Sequence, residues 1–191
     1  MDPINIIVGL NIIASFGANV AGAKKGLKTS VTAVKERPVT YLQKLPLILS
    51  TITLIALILA VFKVGTLEYT DEYFSLRISG LIIYLVFSWI QISAYKSLGE
   101  NYSQEIVILK NHSLVTKGAF RFIRHPQYIS QILLDIGGGL ATLSFIVLPV
   151  ALIQIPFIIM RAYREEKLLE KYFKDDFKDY KKKSGFMIPF I

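Results

Sequence analysis

The chain has no cysteine among its 191 residues. Disulfides, thiolate metal sites and cysteine nucleophiles are thereby excluded, and the redox compartment stays open. It has only two histidines, too few for a histidine-rich centre, so no metal is expected. Charge is also scarce: 19% of residues are charged against 53% hydrophobic, with a mean hydropathy of +0.49. The apolar residues cluster in long uncharged blocks, the pattern of a membrane protein and not of a soluble domain. The formal net charge of +8 then points to anionic lipid headgroups and cytoplasmic loops, not to nucleic acid.

Pro3–Ala23 carries no charge and is just long enough to cross a hydrocarbon core of about 30 Å. It lacks a basic leading region, so it reads as a retained first span and not as a signal peptide. Ala14, Ala18, Gly22 and Gly26 would place small side chains on one of its faces, for bundle packing or a dimer contact. Leu45–Phe62 reads as a second span, and Ile78–Tyr95, starting near Phe74, as a third. Glu105–Leu109 suits a short strand or an apolar strip on the membrane. Pro126–Met160 is too long for one span at about 1.5 Å per residue. Gly137–Gly139 and Pro149 offer places to bend or break, and Thr142–Phe145 a tight turn. Two helices, 127–142 and 146–162, are expected as a hairpin. Arg161–Lys183 is expected to be a charged amphipathic helix, with Leu168, Leu169, Tyr172, Phe173 and Phe177 as its apolar stripe. The expected fold is therefore an all-α integral membrane protein. It has about five transmembrane helices, a C-terminal helical hairpin and a cytosolic amphipathic helix.

Orientation follows from basic residues. Lys and Arg number six in 24–44, five in 96–125 and nine from 161 onward, against two in 63–77. Five spans put the three rich segments on one side, so that side is expected to be cytosolic, with the N-terminus outside. The division expected is a three-span membrane scaffold, 1–95, and a catalytic region, 96–191.

Chemistry concentrates in two pieces, His112–Tyr128 (HSLVTKGAFRFIRHPQY) and Arg161–Glu166 (RAYREE). His125 and Tyr128 stand three apart at a helix start, whose free N–H groups suit an anion. They read equally as an interfacial cluster reaching for headgroups. The alternation in His112–Val115 suits an extended segment that hydrogen-bonds a flat ligand. Arg161 and Glu165 share a helix face, either as a weak i, i+4 ion pair or as two charges holding opposite ligand groups. Asp135 is the one charge in Pro126–Met160, a costly position that marks it as a functional candidate or as a group meeting a polar partner.

Together these pieces resemble the isoprenylcysteine carboxyl methyltransferase family and its wider relatives, the membrane phospholipid methyltransferases. The resemblance rests on HSLVTKGAFRFIRHPQY, RAYREE, FKDYKKK and MIPFI, in that order, over roughly the C-terminal half. It implies an S-adenosyl-L-methionine cofactor bound on the cytosolic side and a lipidic or prenylated substrate entering from the membrane. Carried over, His112, Ser113, Leu114, Val115, Phe120, His125, Pro126, Gln127, Tyr128 and Glu165 would line the cofactor site. Arg161 would hold the substrate carboxylate. Phe120 stands where the family usually has Tyr, Ser130 where Gly is common, Lys174 where Gly is usual, and Phe177 where Tyr is usual. The implied reaction is carboxyl O-methylation of a prenylcysteine-like lipid. The alternatives are amine N-methylation of a phospholipid, an NADPH-dependent sterol-type reductase, and a non-enzymatic lipid-binding scaffold.

Overall fold

The computed structural model describes residues 2–17 and 34–189. Five helices make the bundle: α1 over Pro3–Gly17, α2 over Leu45–Val61, α3 over Phe74–Leu98, α4 over Pro126–Thr142 and α5 over Val147–Lys183. Two short strands, β1 (Val34–Glu36) and β2 (Ile108–Leu109), pair antiparallel with Val34 opposite Leu109. The helices containing α2, α3 and α5 are each long and apolar enough to cross a membrane. Large apolar side chains such as Ile48, Ile55, Ile82, Val86, Leu152 and Ile153 point outward and are exposed. An apolar exterior on this scale matches a hydrocarbon solvent. The chain has an integral membrane fold.

The hairpin forms where expected. Pro126 opens α4 in its first turn, where its missing N–H costs nothing. Leu143, left-handed at φ 51°, closes α4, and its N–H returns to the carbonyls of Gly139 and Leu140. Residues 65–67 pair with the hairpin tip: Phe145 N–H donates to Gly65 O at 3.2 Å and Leu67 N–H to Leu143 O at 3.0 Å.

Two expectations need correction. Gly137–Gly139 neither bend nor break α4. They lie inside a continuous helix and let α3 come close. A Cβ on Gly137 would stand 2.6 Å from Tyr84 N, and one on Gly80 2.6 Å from Ala141 N. The small-residue seam of this bundle is therefore between α3 and α4. Of the stripe expected on the first span, Ala14 is exposed, and Ala18, Gly22 and Gly26 lie outside the described residues. Second, the amphipathic helix is not separate. It continues α5 beyond the apolar stretch, bending at Lys174, which holds φ 46° and ψ −113°. Of the two readings of 105–109, the short strand holds, as β2, and the strip on a membrane surface does not. Ile106–Leu109 is buried against Leu42 and Leu168, beneath a strap formed by 40–44.

Lys174 occupies the position where the resembled family usually carries glycine, and its backbone is the one glycine would adopt. Lys174→Gly is expected to stabilise the protein by about 1 kcal/mol. Relief of left-handed strain is offset in part by the added freedom of glycine in the unfolded chain. A melting temperature raised by a few degrees checks this, and a lowered one would show that the bend is unstrained.

At the end of the bundle away from the two chemical pieces, Arg77 is buried and gathers four helices. Its guanidinium donates to both carboxylate oxygens of Asp2, to Asn5 Oδ1 and to Ala141 O, and lies 3.7 Å over the Tyr69 ring. The Arg77 hydrogen bond holds the Asp2 carboxyl below its usual range. Asn5 ties the same knot to the end of α2 through the carbonyls of Ala60 and Val61.

Candidate active site

A cavity of about 220 Å³ opens at the other end, among α2, α3, α4, α5 and the 101–115 loop. The residues carried over from the family resemblance all line it except Pro126, which starts α4 and is buried beside it, while Asp135 lies outside it. Pro46, Leu47, Ser50 and Tyr95 also line it, so the N-terminal ninety-five residues contribute part of the wall.

Arg161 and Glu165 face the cavity from α5 and, of the two arrangements weighed for them, do not form the direct i, i+4 ion pair. The Tyr128 hydroxyl lies between them, donating to Glu165 Oε2 at 2.7 Å and accepting from Arg161 Nε at 2.9 Å. Tyr128 comes from the start of α4, so one phenol fixes two side chains of α5. The rest of the Arg161 guanidinium binds backbone. Nη1 donates to Leu42 O and Gln43 O at 2.9 and 3.3 Å, and Nη2 to Gln104 O at 2.5 Å. A guanidinium has five N–H groups, so one on Nη2 remains without a partner among the described residues. Arg161 thus has a single donor available for a ligand. The carbonyls that Arg161 holds belong to the strap and the loop that roof the cavity. Gln43 adds a reciprocal clasp, accepting from Ile106 N–H at 2.8 Å and donating to Ile106 O at 2.9 Å.

His125 is buried at the α4 start. Its Nε2 lies 3.3 Å from Glu166 Oε1, and its ring stands edge-on to Phe186 at 5.1 Å. Its Nδ1, like Gln127 Oε1, is buried with no partner. Buried polar atoms are rarely left unpaired, so two such atoms on residues lining one cavity call for a ligand or water. Ser113 is fixed by Asn101, whose Oδ1 accepts from its N–H at 2.8 Å. The N–H groups of Leu114 and Val115 donate to no described residue. The HSLV segment therefore lines the cavity with two residues whose amides meet no partner among the described residues.

His112 accepts from Leu109 N–H on Nδ1 at 3.4 Å and packs against Phe173. Burial pushes its imidazole below the usual value of 6.5, against a smaller upward pull from Glu165. The folded protein thus holds it neutral, while the unfolded chain would take up a proton. This contribution to stability is fully present above 6.5 and is lost as pH falls through the lowered value. Between pH 7 and 5.5 the native protein is expected to lose more thermal stability than His112→Asn. Parallel losses would mean that other groups govern the acid limb.

Two positions at or beside the cavity, Glu166 and Phe177, were given no site role from the sequence. Glu166, the second Glu of RAYREE, is buried and binds Arg124 Nε at 2.5 Å as well as His125. Arg124 also donates to Ser184 O, and the tail pairs with the same segment. Arg124 N–H donates to Gly185 O at 2.9 Å and Gly185 N–H to Phe122 O at 3.0 Å. The adjacency of Arg and His in RHPQY and the doubled Glu of RAYREE were the available signals. Glu166 positions the motif, leaving Glu165 free for the cavity. Phe177, at a position where the family usually has Tyr, lines the cavity and is 1% exposed, so its apolar edge closes the wall without a hydroxyl.

The model of the isoprenylcysteine carboxyl methyltransferase (ICMT) family matches residues 80–171. Similar proteins include a protein-S-isoprenylcysteine O-methyltransferase of Tribolium castaneum. It is 29% identical over 115 residues, covering 59% of this chain and 41% of that protein. One of Xenopus laevis is 30% identical over 139 residues, covering 68% and 47%. The chain spans about half the length of the curated relatives it matches. A solved structure of the eukaryotic intramembrane Ras methyltransferase ICMT superposes with a TM-score of 0.62 at 20% identity. The superposition covers all of this chain and 69% of that one, and shows a shared fold. By sequence over residues 80–171 and by fold, the chain is related to the isoprenylcysteine carboxyl methyltransferase family.

Proposed function

We propose that this protein is a membrane-embedded, S-adenosyl-L-methionine-dependent methyltransferase. Its acceptor is the carboxyl group of a prenylcysteine-like lipid that reaches the cavity from the bilayer. The observation that carries the reading is the Arg161–Tyr128–Glu165 arrangement in a cavity walled by HSLV and RHPQY. The residues present fit the cofactor: free amides at Leu114 and Val115, unpartnered buried atoms on His125 and Gln127, and a carboxylate at Glu165. When bound, S-adenosyl-L-methionine supplies an electrophilic methyl on a sulfonium.

The chain's own work is positioning. A carboxylate acceptor is ionised at neutral pH and needs no general base. Arg161 offers it the one free N–H of Nη2 and a positive charge held in a dry wall. Glu165 keeps one oxygen on Tyr128, and its other oxygen would be left to hold an ammonium or hydroxyl of the cofactor. Alignment and exclusion of water then account for the rate. The side bearing the cavity is assigned to the cytosol, with the N-terminus outside. Burial of Arg77 against Asp2 supports this, because it leaves Lys63 as the only unburied basic residue of the 63–77 connection. The lysines near the end of α5 are assigned to anionic headgroups.

Calorimetric titration of the detergent-purified protein tests the reading. S-adenosylmethionine and S-adenosylhomocysteine are expected to bind and NADPH not to. Glu165→Ala is expected to weaken both by about tenfold, or 1.4 kcal/mol. Binding of NADPH alone, or of none by a protein shown to be folded, would overturn it.

A further inference from the structure

A second cavity, of about 240 Å³, lies within the apolar part of the bundle between α1, α2, α3 and α4. Ile12, Phe16, Leu54 and Leu134 make its wall apolar, while Gln91, Gln131 and Asp135 contribute polar atoms to it. Asp135 is 4% exposed. Its Oδ2 accepts from Gln131 Nε2 and from Gln154 Nε2, both at 2.8 Å. Gln131 in turn accepts from Gln91 at 2.7 Å, and Ser50 donates to Gln154 Oε1 at 3.0 Å. Two amides hold the carboxylate oxygen, Gln131 from its own helix and Gln154 from α5, with Gln91 of α3 behind Gln131, and none of them carries a positive charge. Among the described residues, Asp135 Oδ1 and Gln91 Oε1 accept no hydrogen bond, and no Lys, Arg or His lines the cavity.

The unmet groups are therefore acceptors, and one of them is a carboxyl, whose ionised form is costly in this surrounding unless a cation stands beside it. A donor that also carries positive charge satisfies both. The apolar wall requires that donor to bring a hydrocarbon chain. We infer that this cavity is a binding site for a cationic amphiphile. Its ammonium sits on Asp135 Oδ1 and its alkyl chain lies along Leu54 and Leu134. The Asp135 carboxylate and Gln91 amide are the recognising groups. This site is separate from the methyl-transfer reading, although Leu47, Ser50 and Gln131 line both cavities.

Native mass spectrometry of the full chain in a neutral detergent tests it, with dodecylamine as the probe and dodecanol and dodecanoic acid as comparators. Dodecylamine is expected to bind at least tenfold more tightly than either comparator. Asp135→Asn keeps an oxygen for the two glutamine amides and turns an N–H₂ toward the cavity. It is expected to weaken dodecylamine at least tenfold and leave dodecanol unchanged. Leu54→Trp, a change on the exposed rim, blocks the cavity without touching the polar network and is expected to remove binding of all three. Binding of dodecanol as tight as the amine, or unchanged dodecylamine binding in both variants, overturns the inference. S-adenosylhomocysteine binding measured on the same samples reports the first cavity, so loss of one reading does not imply loss of the other.

Discussion

Replacing Arg161 by alanine is expected to remove methyl transfer, by about 100-fold or more, and to lower the melting temperature at the same time. The two losses have one origin. Arg161 binds Tyr128 and the carbonyls of Leu42, Gln43 and Gln104, and alanine leaves these groups without a donor inside the protein. Each buried polar group so orphaned costs about 1–3 kcal/mol. Arg161→Lys separates the roles. An ammonium keeps the charge and reaches one or two of the acceptors, so much of the stability returns. It cannot hold the roof and the acceptor together, so transfer stays low. Thermal melts and methyl-transfer assays on both variants check this. Full transfer in a folded Arg161→Ala protein would take Arg161 out of the acceptor site.

Gly137→Val is expected to be the most damaging single change in the bundle, costing about 3 kcal/mol or more. The first atom added would stand 2.6 Å from Tyr84 N and 2.8 Å from Gly80 O. Both are backbone atoms of α3, so only separating the two helices relieves the clash. Gly138 is the internal control. A Cβ there would meet the Leu57 methyl carbons at 3.1 Å, the far end of a side chain that can turn. Gly138→Ala is therefore expected to be near neutral, because alanine's helix preference of about 1 kcal/mol offsets the squeeze. Melting curves in one detergent compare the two. Equal effects at 137 and 138 would show that the glycines are not a packing seam.

Periodicity and charge segregation made the spans and the hairpin legible, because a bilayer demands uncharged runs of fixed length. The ends of α4 were readable within a residue, from Pro126 and from the turn after Thr142. The glycine triplet was misread because glycine serves close packing as readily as bending, and only the facing helix decides which. Lys174 showed the converse: a lysine in a helical pattern hid a left-handed bend. For the site, the motifs identified the cavity-lining residues, but the partners of Arg161 were invisible. Three of them are backbone carbonyls, which carry no signature in a sequence. Tyr128 was named as a wall residue, yet its position between Arg161 and Glu165 required two helices to be placed together. The Asp135 network was equally hidden, since glutamines in apolar runs announce no particular partner.

The hydrogen bond from Arg161 to Leu42 O joins positions 119 apart in sequence. Domains emerge from the ribosome N-terminus first, so the strap at 40–44 leaves well before α5 exists. During that interval α2 and α3 can enter the bilayer and associate, but the roof of the cavity has no fastener. The tail that clamps Arg124 through Ser184 and Gly185 comes later still. The cavity is thus closed only after α5 has been made. A chain truncated anywhere before Arg161 would insert as a bundle with no site.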